Sequence, residues 1–110
     1  MAKPLNAPAS AEVVQSGEPG VLQVSGELSF ATVSAVLEQS RPMLASAQGW
    51  LVLELAGVER VDSAGLALLI QWMRLAREQG VDILFRHVPE QLLAIAHASD
   101  LDDVLPLEQG

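Results

Sequence analysis

The run Trp50-Leu51-Val52-Leu53-Glu54-Leu55 is apolar almost throughout and does not alternate. A strand with one wet face alternates with period two, whereas a strand covered on both faces does not. The run therefore predicts a central strand buried on both faces and paired in parallel. Parallel pairing in turn requires crossover helices, so one short segment already points to an α/β fold.

The flanking pattern supplies those helices. Residues 12–15 and 21–24 read as short strands, separated by the turn cluster Gly17, Pro19 and Gly20 and stopped by Ser25-Gly26. Ser29 or Thr32 is placed to cap a helix starting near Phe30, in which Val33, Val36 and Leu37 share one face. Pro42 is expected to bend, end or restart that helix. Gly57 is expected to end the central strand, with 58–62 as a loop. A helix over 63–79 is closed by Gly80, 81–85 is a further strand, and Pro89 opens a last helix to about Ala98. Residues 104–107 read as an edge strand or turn, because Pro106 does not suit a central one. Residues 1–11 read as a flexible N-terminal arm and 12–110 as a single domain.

Composition removes whole classes of function. With 14 acidic and 6 basic side chains the formal charge is −8, which opposes a broad grip on nucleic acid or anionic lipid. No cysteine is present, so disulfides, thiolate nucleophiles and Cys-ligated zinc are excluded. The longest apolar run, 64–70, is far short of the roughly 20 residues that span a bilayer, so no membrane insertion is expected. The N-terminal residues lack the apolar core of a secretory signal, and the expected location is the cytoplasm. Neither a P-loop nor a G-x-G-x-x-G turn is found. His87 and His97 stand ten residues apart without metal-ligand spacing; one is read as ending a strand and the other as riding a helix. Ser63, His87 and Asp62 do not form a signalled triad, since Ser63 is not in G-x-S-x-G. Glu54 reads as a hydrogen-bonded structural carboxylate. The expectation is a non-enzyme without catalytic residues, cofactor or metal.

The informative segment is Val61-Asp62-Ser63-Ala64-Gly65-Leu66. It follows the buried strand, and loops at the carboxyl ends of such strands form the usual functional edge. Ser63 is read as the N-cap of the next helix, with Ala64 and Gly65 leaving the first turn bare for another chain. A phosphate on Ser63 would meet the positive end of the helix dipole, opposed by the charge of Asp62. The helix itself is too apolar for one buried stripe. Leu66, Leu69, Ile70, Met73 and Ala76 form one face, and Leu68, Trp72 and Leu75 a second. Together they cover about 220° at 100° per residue, against a stripe of somewhat over 100° for a surface helix. The surplus arc faces either another helix or another protein, with Trp72 as the anchor in the second case.

These residues resemble a known family. Val24-Ser25-Gly26-Glu27-Leu28, the central strand, and Val61-Asp62-Ser63-Ala64-Gly65-Leu66 are similar to the STAS domain, named for sulfate transporters and anti-sigma factor antagonists. The resemblance implies a mixed β-sheet of four to five strands with helices packed on it. The run Gly26 to Val33 with Val61 to Leu69 is most similar to the small STAS subunit of Mla phospholipid ABC transporters. That implies a non-catalytic, cytoplasmic regulatory or assembly subunit. It would be peripheral to the inner membrane, bound to the transporter ATPase beside a membrane permease, and would support outer-membrane lipid asymmetry. The implied contact region is Asp62 to Trp72, and with the surplus arc the expected partner-binding residues are Asp62, Ser63, Ala64, Gly65, Leu66, Leu68, Trp72 and Leu75. The alternative branch implies an anti-sigma factor antagonist switched by phosphorylation of Ser63.

Overall fold

The computed structural model describes residues 8–108. Its elements run β1 (Ala11–Gln15), β2 (Val21–Leu28), α1 (Val33–Ala45), β3 (Trp50–Val61), α2 (Ser63–Glu78), β4 (Asp82–Arg86) and α3 (Glu90–Ala98). They form a four-stranded sheet of order β1-β2-β3-β4. A tight turn makes β1 and β2 antiparallel, and the helical crossovers make β2, β3 and β4 parallel. A fifth, minimal strand is a single bridge from Leu107 to Phe85, with Phe85 N–H donating to the Pro106 carbonyl. The α/β class, the mixed sheet and the parallel central strand match the sequence reading. Residues 1–7 of the expected arm lie outside the described residues. Ala11, assigned to that arm, instead pairs with Gly26 as the first residue of β1.

Two strands run further than their glycines suggested. β2 continues through Ser25-Gly26 to Leu28, and β3 through Gly57 to Val61, with register shifts between β2 and β3 at this level. Gly26 has φ +95, and a Cβ there would run into the Ser10 backbone carbonyl. The ladder runs on past it, with Gly26 paired to Val58 and Glu27 to Arg60, so that β3 carries an extra residue opposite this point. The extension matters for function, because it carries the loops after β2 and β3 out together at one edge of the sheet.

The inner face of the sheet supplies Leu22, Val24, Leu51, Leu53, Leu55 and Phe85 to one core with the helices. On the opposite face Val21 and Val52 are buried beside the half-exposed Trp50 and Leu84. The amide of Val13 on the edge strand β1 donates to Gln39 Oε1 of α1 at 3.3 Å. Pro42 lies inside α1, which continues unbroken to Ala45; the helix neither ends nor restarts there.

The surplus arc of α2 has an internal explanation. Trp72 has no exposed surface, and its indole N–H donates to Ser40 Oγ of α1 at 2.8 Å. Ser40 is equally buried and its own hydroxyl donates a hydrogen bond to the Leu37 carbonyl at 2.7 Å. Leu68 is 3% exposed and Leu75 is half-buried against the core. This corrects the expectation of an exposed anchor at Trp72: α1 covers the second face of α2, and its small Ser40 lets the indole approach.

Candidate functional site

The loops after β2 and β3 meet where α2 begins. Asp62, not Ser63, is the N-cap: its Oδ1 accepts from the Ala64 N–H at 2.8 Å. Ser63 is the first helical residue and is exposed. Both residue types cap well, and the choice falls to Asp62 because its backbone is extended as a cap requires. Asp62 Oδ2 also accepts from the Phe30 N–H at 3.2 Å, and Asp62 N–H donates to the Leu28 carbonyl at 3.1 Å.

The Phe30 loop is braced within itself. Ser29 N–H donates to Thr32 Oγ1 at 3.0 Å, Ser29 Oγ–H to Glu27 Oε2 at 2.8 Å, and the Thr32 hydroxyl to the Glu27 carbonyl. Thr32 precedes α1 without capping it, since its hydroxyl turns back to β2. The result is a fixed loop from which Phe30 stands 88% exposed.

Beside that ring opens an apolar cleft of about 470 Å³ between α1 and the first half of α2. Val33 and Leu37 line it from α1, Ala64 and Ala67 from α2, with Leu68 as the buried floor and Ser63 at one end. The spacing Ala64, Ala67, Leu68, Gln71 is one helical face. Two alanines on that face leave room that larger side chains would fill. No charged side chain lines the cleft.

Of the residues singled out from sequence, Ser63, Ala64 and Leu68 share this cleft and Asp62 holds its end. Gly65 and Leu66 face inward instead. A Cβ on Gly65 would sit 3.1 Å from the Leu28 carbonyl oxygen, so its bareness serves the packing of α2 on β2 rather than access by another chain. Phe30, Val33, Leu37 and Ala67 were missed as site residues. The signal for Phe30 was present: a large aromatic next to a helix start, outside its apolar face.

The polar groups weighed from sequence are each held in separate pairings. Ser63, His87 and Asp62 are not joined in a relay, because His87 Nδ1 pairs with Glu54 at 2.9 Å while two backbone amides hold Asp62. His87 follows the last residue of β4 and His97 rides α3, where its Nδ1 lies 3.0 Å from Asp102 Oδ2. Glu54 is structural, accepting from Arg86 Nε at 2.8 Å on a side chain 13% exposed. Burial pushes its carboxyl up, but the hydrogen bonds from Arg86, His87 and the Ala56 N–H outweigh it and hold the group below its ordinary value. Among the described residues no cluster of His, Cys, Asp and Glu suits a metal ion.

Comparison with known proteins agrees with this architecture. A family model described as "Mlab, STAS domain" matches residues 11–107. The intermembrane phospholipid transport system binding protein MlaB of Escherichia coli (strain K12) is 32% identical over 94 residues, covering 84% of this chain and 92% of the relative. The MlaB of Shigella flexneri matches to the same extent. An anti-sigma factor antagonist from Mycobacterium paratuberculosis superimposes with a TM-score of 0.70 at 28% identity, over 96% of this chain and 92% of that one. The anti-sigma factor antagonist SpoIIAA in its unphosphorylated form shares the fold, with a TM-score of 0.57 at 15% identity over 86% of this chain and 85% of that one. With a family match over nearly all the described residues and a relative matched over most of its length, the chain belongs to the STAS domain family, in its MlaB branch.

Proposed function

We propose that this chain is a non-catalytic subunit of a phospholipid transport system, and that it docks on the system's ATPase through the cleft between α1 and α2. The observation that carries the reading is the cleft itself: an uncharged apolar hollow beside the exposed Phe30 and Ser63, in a chain whose relatives are named as transport-system binding proteins. An apolar cleft with a projecting aromatic is the anatomy of a protein-binding surface. Binding would act by favouring one conformation of the ATPase, through a higher affinity for that state. Among the described residues no helix is long and apolar enough to cross a membrane, so attachment to the membrane would run through the ATPase and its permease.

The test is calorimetric titration of the purified chain against the purified ATPase subunit of the transporter. Ala67→Arg fills the cleft from an exposed helical position without disturbing the core. Tight binding by the unaltered chain and at least about tenfold weaker binding by the variant support the reading. Equal affinity of the two chains for the ATPase removes the cleft from the interface.

A second reading, a partner switch controlled by phosphorylation, is favoured by one observation: Ser63 is exposed at the first turn of α2. There a phosphate would meet the positive end of the helix dipole, opposed by the adjoining Asp62 carboxylate, which already holds the Ala64 amide. Intact mass after incubation with the host's kinases decides it. Stoichiometric phosphate on Ser63 that abolishes binding supports the switch, and an unmodified chain removes it.

A further inference from the structure

The loop carrying Phe30 is shaped by its own hydrogen bonds, and the Phe30 amide is tied across to the cap of α2. Asp62 is placed to serve both sides at once. It lies 32 residues beyond Phe30, receives the Phe30 amide on Oδ2, and receives the Ala64 amide on Oδ1. One carboxylate therefore fixes the two lips of the cleft relative to each other. An aromatic ring 88% exposed makes few contacts of its own, so its position is set by its backbone.

We infer that Asp62 is a positioning residue: it holds Phe30 as the standing wall of the cleft, and Phe30, not Trp72, is the aromatic anchor for the ATPase. The inference rests on the docking reading above. The occupant it commits to is an apolar helix of the ATPase with Lys or Arg beside its apolar face. The lining of the cleft is uncharged, the Asp62 carboxylate stands at its Phe30 end, and the whole chain carries a charge of −8. Such a surface selects an apolar segment flanked by positive charge. Pre-set aromatic walls bind more tightly than mobile ones, because the ordering cost falls before binding.

The experiment uses the full chain and the purified ATPase subunit, with Asp62→Asn, Phe30→Ala and the double variant. Asparagine offers one oxygen in place of two, so it keeps the cap to Ala64 and turns an amide group toward the Phe30 N–H. Hydrogen exchange at the Phe30 amide should accelerate at least about tenfold while exchange at Ala64 changes little. Affinity should fall about tenfold in Asp62→Asn and further in Phe30→Ala. The double variant should bind no more weakly than Phe30→Ala alone, because Asp62 acts through Phe30. Additive losses, unchanged exchange at Phe30, or unchanged affinity of Asp62→Asn overturn the positioning role and leave the docking reading standing. Absence of binding by the unaltered chain, or full affinity in Ala67→Arg, overturns the docking reading and this inference with it.

Discussion

Ser40→Ala is a small substitution with a large expected cost. Ser40 Oγ is the acceptor for the Trp72 indole N–H at 2.8 Å, and both residues are fully buried. Alanine removes the acceptor and admits no water in its place. A buried donor left without a partner costs about 1–3 kcal/mol. Alanine's better helix propensity returns about 0.5 kcal/mol at most. The net loss of about 0.5–2.5 kcal/mol corresponds to a fall in Tm of about 2–10 °C for a domain of this size. The control is Ser34→Ala on the exposed side of the same helix, which should be neutral or slightly stabilising. Urea unfolding followed by circular dichroism at 222 nm supplies both values, with the m-value as a check that the unfolded state is unchanged. Trp72→Phe completes a double-mutant cycle, with an expected coupling of about 1 kcal/mol. Equal stabilities of Ser40→Ala and Ser34→Ala would refute the reasoning. The indole would then have another partner or lie in water, and Trp72 would return as a candidate anchor.

Gly65→Ala brings a methyl to 3.1 Å from the Leu28 carbonyl oxygen and 3.2 Å from the Leu28 Cβ, an overpacking cost of about 1–3 kcal/mol set against a helix-propensity gain of up to about 1 kcal/mol; thermal unfolding should show a net loss of about 0–2 kcal/mol. The His97 imidazole should titrate above its ordinary value by NMR, because the Asp102 carboxylate accepts its hydrogen bond, and Asp102→Asn should bring it back down. The same pairing holds Asp102 below its ordinary value. Its contribution to stability should therefore fade as pH rises through the raised His97 value, and again as pH falls through the lowered Asp102 value. Glu54, held below its ordinary value in the folded state, contributes stability that is present above the unfolded-state carboxylate pKa and is lost as pH falls through the folded one. Glu54→Gln should accordingly flatten the acid side of the stability profile, as read by chemical denaturation at a series of pH values.

The sequence was legible where a local pattern has one physical solution. The unalternated run at Leu51–Leu55 admits a strand flanked by strands, and β3 is one, paired in parallel on both sides. Gly80 and Pro89 mark the end of α2 and the start of α3, as their backbone preferences require. Gly26 and Gly57 misled, because a glycine ends an isolated strand but is tolerated beside a bulge once a neighbouring strand holds the ladder together. The Trp72 arc was read correctly as too wide for a surface helix. Periodicity does not reveal what covers an arc, and Ser40 lies 32 residues away. The same distance hid the site: nothing near Phe30 in sequence announces that Asp62 binds its amide. The neighbouring choice between Asp62 and Ser63 as cap turns on backbone angles that residue type does not fix.

The contrast between the two tryptophans gives the protein its own pair of optical probes. The sequence has no tyrosine and two tryptophans, so its near-ultraviolet absorbance and emission come almost wholly from Trp50 and Trp72. Trp72 sits sealed against Ser40, whereas Trp50 is 49% exposed on the far side of the sheet. A water-soluble quencher such as iodide should therefore silence Trp50 and spare Trp72. In a Trp50→Phe chain the remaining emission would come from the joint between α1 and α2, one layer beneath the cleft, so a rearrangement of that joint would be visible without any attached dye.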